Sequence, residues 1–181
     1  MNSPLLPLTF PRSPPYRLLF VCLGNICRSP LAKAIFEHHA QQRSVAEHFQ
    51  LDSCGTGGWH EGADADPRSK AVAGLHGVAM THAARQVRPA SDFTRCDLLL
   101  AMDHANQRDL IALGAPAPRV ALIRAFDPTL HDVRGHELDV PDPYYGGDDG
   151  FERVFQMLDA ACVGLLDACE QPHTSRGISG V

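Results

Sequence analysis

The sequence predicts an α/β fold in three layers, an open four-stranded parallel sheet with helices on both faces, and three observations lead to it. Apolar runs of strand length alternate with stretches of helical periodicity along the 181-residue chain. A loop-like stretch, 22–28, joins the first strand directly to the first helix. The chain closes on a long amphipathic segment suited to lie against a sheet.

The elements follow in order. Leu18-Leu19-Phe20-Val21 centres a buried strand near 17–22. Ser29-Pro30, followed by Leu31, Ala34 and Ile35 at helical spacing, opens a helix near 29–43. A strand near 49–53, a helix near 67–76, a strand near 97–102, a helix near 104–112 and a strand near 119–123 come next. The closing helix carries Phe151, Val154, Phe155, Leu158, Cys162, Leu165 and Leu166 and ends near Cys169. One folded domain over 16–170 is expected, with a proline-rich tail at 1–15 and a flexible tail at 171–181.

The loop after the first strand is the richest segment. In Cys22-Leu23-Gly24-Asn25-Ile26-Cys27-Arg28-Ser29-Pro30, a cysteine ends the strand and an arginine stands at the start of the helix. Helix N-terminal N–H groups lack intrahelical partners and the macrodipole favours negative charge, so a phosphate oxygen or a thiolate is stabilised there. A free cysteine titrates near about 8.5, and such a setting lowers a thiol into the range of about 3.5–7.5. Cys22 is therefore a candidate nucleophile. Arg28 offers a planar fork of donors that matches two phosphoryl oxygens. Ser29 is suited to cap the helix and to donate its hydroxyl to the sulfur. Pro30 suits the first helical turn. Gly24 and Asn25 tolerate positive φ, which lets successive N–H groups turn inward as an anion nest. A bare cysteine and arginine at this spacing is common by chance. The strand before and the helix after give it meaning.

With these residues in place the chain resembles the low-molecular-weight protein tyrosine phosphatases, whose V-C-x-G-N-I-C-R-S-P signature stands complete at residues 21–30. The resemblance continues through Asp52-Ser53-Cys54-Gly55-Thr56-Gly57-Gly58-Trp59-His60, Thr81-His82-Ala83-Ala84-Arg85-Gln86, Ala101-Met102-Asp103 with Asn106, and Asp142-Pro143-Tyr144-Tyr145-Gly146. It spans about residues 17–169. The resemblance implies a phosphocysteine mechanism on phosphotyrosine, with Cys22 as nucleophile, Arg28 binding phosphate and stabilising the transition state, and Asp142 as general acid and base. A departing phenolate has a conjugate acid of pKa about 10, so a carboxylic acid is a suitable proton donor. Asp66-Pro67 and Asp127-Pro128 are competing Asp-Pro pairs, but only Asp142 precedes the family's Tyr-Tyr.

The resemblance further implies that Leu23, Gly24, Asn25, Ile26, Cys27 and Ser29 surround the phosphate. Trp59 and Tyr144 wall the cleft for a flat phenyl ring. For Trp59 the alternative is core packing, and its glycine-rich setting argues for an exposed loop. His82 corresponds to a buried histidine that bonds the loop and holds Asn25, and Asp103 to a neighbouring carboxylate. Cys27 either points into the core or condenses with an oxidised Cys22, and the resemblance favours the redox part. In similar proteins that act on phosphoarginine a threonine replaces Ile26 and smaller residues replace the Tyr-Tyr pair. This chain has neither change. The segment 124–141 is longer than the family's usual one and holds His131, Arg134, Gly135 and His136.

Composition bounds the rest. A net charge of −5 gives no basic stripe, which excludes nucleic acid, and no run approaches the ~20 apolar residues that span a bilayer. Residues 1–15 lack the pattern of a secretory signal. Six cysteines in a chain of this size do not read as a disulfide framework, and a reduced thiol nucleophile points to the cytoplasm. Cys54, Cys96, Cys162 and Cys169 read as buried core thiols. The expected partners are phosphotyrosine-containing proteins, with the chain itself a monomer or weakly self-associating.

No cofactor and no metal is expected, since His38-His39 are adjacent and His131 and His136 lack a third ligand at recognisable spacing. Residues 55–60 fail the dinucleotide fingerprint because His60 stands where the third glycine belongs. Two alternatives use the same loop. Arsenate reduction needs further resolving cysteines, which Met102 and Cys96 do not reproduce, and a non-catalytic phosphate-binding module has no use for Asp142.

Overall fold

The computed structural model describes residues 11, 13–130 and 133–171. His131 and most of the tails expected at 1–15 and 171–181 lie outside the described residues. Four strands form one sheet: β1 (Tyr16–Cys22), β2 (Phe49–Gly55), β3 (Leu98–Ala101) and β4 (Val120–Leu122). The order is β2-β1-β3-β4 and every pairing is parallel. The helices are α1 (Arg28–Gln42), α2 (Pro67–Leu75), α3 (Pro89–Arg95), α4 (His104–Ala112) and α5 (Asp148–Glu170).

Alternation along β1 builds the three layers. Leu18 and Phe20 join one core with Leu31, Ile35 and Phe36 of α1 and with Phe155, Leu158 and Leu165 of α5. Leu19 and Val21 face the other way, into a second core with Phe93 of α3 and Leu110 of α4. A central strand buried on both faces reads as a continuous apolar run for this reason. Phe36 anchors the first core, with its ring centroid 5.9 Å from that of Phe20 and 4.9 Å from that of Phe49. Burying each such side chain is worth about 1.5–3 kcal/mol.

The register sets the site. Cys22 pairs with Gly55 and Val21 with both Cys54 and Ala101, so the carboxyl ends of β1, β2 and β3 come level where the 22–28 loop leaves the sheet.

Helix α3 is absent from the sequence expectation. It has only seven residues, too few for a periodic apolar stripe, and Pro89 with Asp92 in the first turn starts it. Cys54, Cys162 and Cys169 are buried as expected, but Cys96 is only partly covered because it follows the last residue of α3 on the way to the sheet. No described helix is long and apolar enough to cross a membrane.

Candidate active site

At the end of β1 the chain must turn sharply, and Asn25 makes the turn at φ 56°. Asparagine enters the left-handed region more readily than most residues because its short polar side chain can bond locally. Here every side-chain group is used. Nδ2 donates to Ser29 Oγ at 2.9 Å and to Ser53 Oγ at 3.1 Å, and Oδ1 accepts the Arg85 N–H at 2.9 Å. The Asn25 carbonyl accepts from His82 Nε2 at 2.6 Å, so Nε2 carries the imidazole proton. His82 is half-buried rather than buried, and desolvation holds its pKa below the usual histidine value.

The fixed turn brings a backbone N–H and a hydroxyl to one sulfur. The Asn25 N–H lies 3.2 Å from Cys22 Sγ and Ser29 Oγ lies 3.0 Å from it. Ser29 does not cap α1. The cap position is Cys27, without a side-chain capping bond, and Ser29 sits inside the first turn, spending its hydroxyl on Cys22, Asn25 and the Cys54 carbonyl. The 55–60 segment braces the loop from outside, with Thr56 N–H on the Cys22 carbonyl and Gly57 N–H on that of Leu23, each at 2.9 Å.

Arg28, its side chain only 4% exposed, is the hub of the charges. Nη1 donates to Asp103 Oδ2 at 2.6 Å and to the Val140 carbonyl at 3.1 Å, while Nη2 donates to Asp142 Oδ2 at 2.7 Å. Burial works against its charge, but the Cys22 sulfur, Asp142 and Asp103 outweigh that and raise its pKa. Asp103 also caps α4, accepting the Asn106 N–H at 2.7 Å. It therefore serves Arg28, and none of the described hydrogen bonds joins it to His82. Asp142 is 41% exposed and takes the Tyr144 N–H on its other oxygen.

The competing Asp-Pro pairs are structural. Asp66 caps α2, accepts from Arg68 N–H at 2.8 Å and pairs with the Arg68 guanidinium. Asp127 closes a turn on the Thr129 N–H and hydroxyl.

Around the loop, Leu23 is 43% exposed, and Ile26 is half-buried, packing partly on the core. Trp59 is 74% exposed, and its ring lies over Gly57, which is itself bonded to Leu23. Tyr144 is 40% exposed and stands edge-on to Tyr145, ring centroids 5.0 Å apart. Cys27 faces the core, and burial, followed by Asp66, pushes its thiol up to about 12.

Several supports escape sequence reasoning. Ser53, Arg85 and Val140 bond the loop or its arginine from distant segments. Arg68 holds the Tyr144 carbonyl at 3.3 Å and lies over the rings of Tyr144 and Phe151. Only the Ser53 and Arg85 positions carried a signal, since both fall within the quoted motifs. Among the described residues, the one grouping of His, Cys, Asp and Glu side chains with metal-ligand spacing is His104, His136 and Asp139, and it includes none of Cys22, Arg28 and Asp142.

The arrangement thus sets a sulfur bonded by a backbone N–H and a hydroxyl at the mouth of a helix, a buried guanidinium beside it, and a solvent-accessible carboxylate on that guanidinium. Such a set can receive a tetrahedral oxyanion and attack its central atom.

Comparison with known proteins agrees with this geometry. A family model described as low molecular weight phosphotyrosine protein phosphatase matches residues 17–174. A low molecular weight protein-tyrosine-phosphatase of Streptomyces coelicolor is 48% identical over 164 residues, 89% of this chain and 98% of that protein. The human low molecular weight phosphotyrosine protein phosphatase is 36% identical over 83% of this chain and 93% of its own length. Among solved structures, a protein tyrosine phosphatase from Entamoeba histolytica with Hepes in its active site superposes with a TM-score of 0.78, at 37% identity, covering 86% of this chain and 97% of that one.

Proposed function

The chain belongs to the low molecular weight phosphotyrosine protein phosphatase family, and from that premise we propose that it hydrolyses phosphotyrosine on proteins in two steps at Cys22. The observation that carries the reading is the convergence on Cys22 Sγ of the Asn25 N–H and the Ser29 hydroxyl, with Arg28 linking that loop to Asp142. In the first step the Cys22 sulfur forms a bond to phosphorus as the bond to the tyrosine oxygen breaks. Asp142 gives its proton to that oxygen, so the leaving group departs as a neutral phenol. In the second step the Asp142 carboxylate takes a proton from water, whose oxygen attacks phosphorus, and phosphate leaves as the S–P bond breaks.

Arg28 serves both steps as a planar, permanently charged fork. Its Nη2 moves from Asp142 to a phosphoryl oxygen when substrate enters, while Asp103 and Val140 keep Nη1 in place. That exchange frees the Asp142 carboxyl to face the leaving oxygen. Trp59 and Tyr144 flank the phenyl ring, Leu23, Gly24 and Ile26 line the approach, and Ile26 in place of threonine directs the site to tyrosine over arginine. Cys27, a thiol at rest, condenses with a Cys22 sulfenic acid to give a disulfide and water.

The test is steady-state hydrolysis of a phosphotyrosine peptide beside phosphoserine and phosphoarginine peptides, for the wild type and Cys22→Ser. The expected outcome is turnover of phosphotyrosine alone, abolished in the variant. Hydrolysis that survives Cys22→Ser, or a preference for phosphoarginine, would contradict the assignment.

A further inference from the structure

His104, His136 and Asp139 meet away from the phosphate loop, at the root of the segment that carries Asp142. Asp139 accepts from the two imidazoles on different oxygens, His104 Nδ1 on Oδ1 at 2.6 Å and His136 Nδ1 on Oδ2 at 2.8 Å. The His104 backbone N–H adds a third bond to Oδ1 at 2.9 Å. The two rings stand 5.6 Å apart, and one potential ligand atom from each of the three residues lies within 4.8 Å of the others. Burial alone would raise the Asp139 pKa, but the bonds from His136 and His104 outweigh it and hold the carboxyl below its usual value.

We propose that these three residues form a binding site for a divalent transition metal of the zinc class. Two imidazoles and one carboxylate are a zinc donor set, with ligand bonds of about 2.0–2.2 Å and a fourth position left for water. Two of the ligands are already placed. His104 starts α4, and Asp139 is locked to it through both backbone and side chain. His136 is 92% exposed and free to rotate inward by the small amount that coordination requires. Its own turn, Gly135–Leu138, is fastened by Arg124 Nη1 on the Glu137 carbonyl at 2.6 Å. Metal binding replaces the two hydrogen bonds to Asp139 with direct bonds from Nδ1, each neutral imidazole then carrying its proton on Nε2.

The position gives the site a consequence. Asp139 precedes Val140, whose carbonyl holds Arg28, and His104 follows Asp103, which holds the same guanidinium. A bound ion ties those two anchors together without touching the reacting groups. The proposal does not depend on the phosphatase reading.

The experiment is calorimetric titration of the full chain with Zn2+ alone in the Cys22→Ser background, which removes one of the two loop thiols as a competing ligand. The expected result is one saturable site, weakened roughly tenfold or more by His136→Ala and by His104→Ala. His38→Ala, a surface histidine bonded only to Gln42 among the described side-chain bonds, is expected to leave it unchanged. No saturable binding, equal binding by His136→Ala, or an equal loss in His38→Ala would each overturn the proposal. Because His136 is exposed, its variant folds, and a null effect there is decisive.

Discussion

Asp142 sits on Arg28 at 2.7 Å and is open to solvent, and this pair of facts decides how its loss is read. A group that only shields Arg28 would affect every substrate alike when removed. A proton donor matters in proportion to how poor the leaving group is. Asp142→Ala is therefore expected to lower turnover of phosphotyrosine by about 10²–10⁴-fold. An activated aryl phosphate, whose leaving group departs unprotonated, should lose far less. Parallel kinetics on the two substrates measure the difference, and equal losses would remove the proton-donor role. Asp142 stands out as the candidate in the sequence because Tyr144-Tyr145 sets it apart from Asp66 and Asp127. Its tie to Arg28, and that of Asp103, was not legible there, since these contacts join residues far apart in the chain.

At the scale of elements, the site is a strand end, a loop and a helix start held by the neighbouring strand. Gly55, the last residue of β2, is the point of that bracing where backbone atoms crowd a glycine. A Cβ there would stand 2.6 Å from the Leu23 carbonyl oxygen and 2.8 Å from that of Gly57, with no flexible side chain able to yield. Gly55→Ala is expected to cost about 1–3 kcal/mol. That corresponds to a melting temperature lower by roughly 2–4 °C per kcal/mol. Activity should fall as well, since the displaced backbone carries the Thr56 and Gly57 bonds to Cys22 and Leu23. Thermal melting with a parallel assay checks it, and an unchanged melting temperature would mean that the 55–58 loop shifts freely. The 22–28 loop and the long elements were legible because their signals are local: an apolar run, a glycine-asparagine turn, helical spacing. Seven-residue α3 and the histidine pair at Asp139 were not. The first is too short for periodicity, and the second is assembled from residues 104, 136 and 139 by folding alone.

For the whole molecule, acid acts through two sets of groups at different pH. His82 is held neutral by burial, so protonating it costs the folded state more than the unfolded one. Its stability contribution is complete above the unfolded value of about 6.5 and declines as pH falls from there toward the lower folded value. Asp66, held down chiefly by its hydrogen bond from Arg68, and Asp139, held down by its histidines against burial, behave in the opposite sense of charge. Their contributions are present above about 3.9 and disappear as pH falls through the depressed folded values. The urea midpoint should thus decline gently as pH falls below about 6.5 and steeply below about pH 4. His82→Gln keeps a donor for the Asn25 carbonyl and cannot titrate, so it should flatten the first decline and leave the second. Denaturation series on the two proteins test this, and parallel declines below about pH 6.5 would exclude His82 as the source.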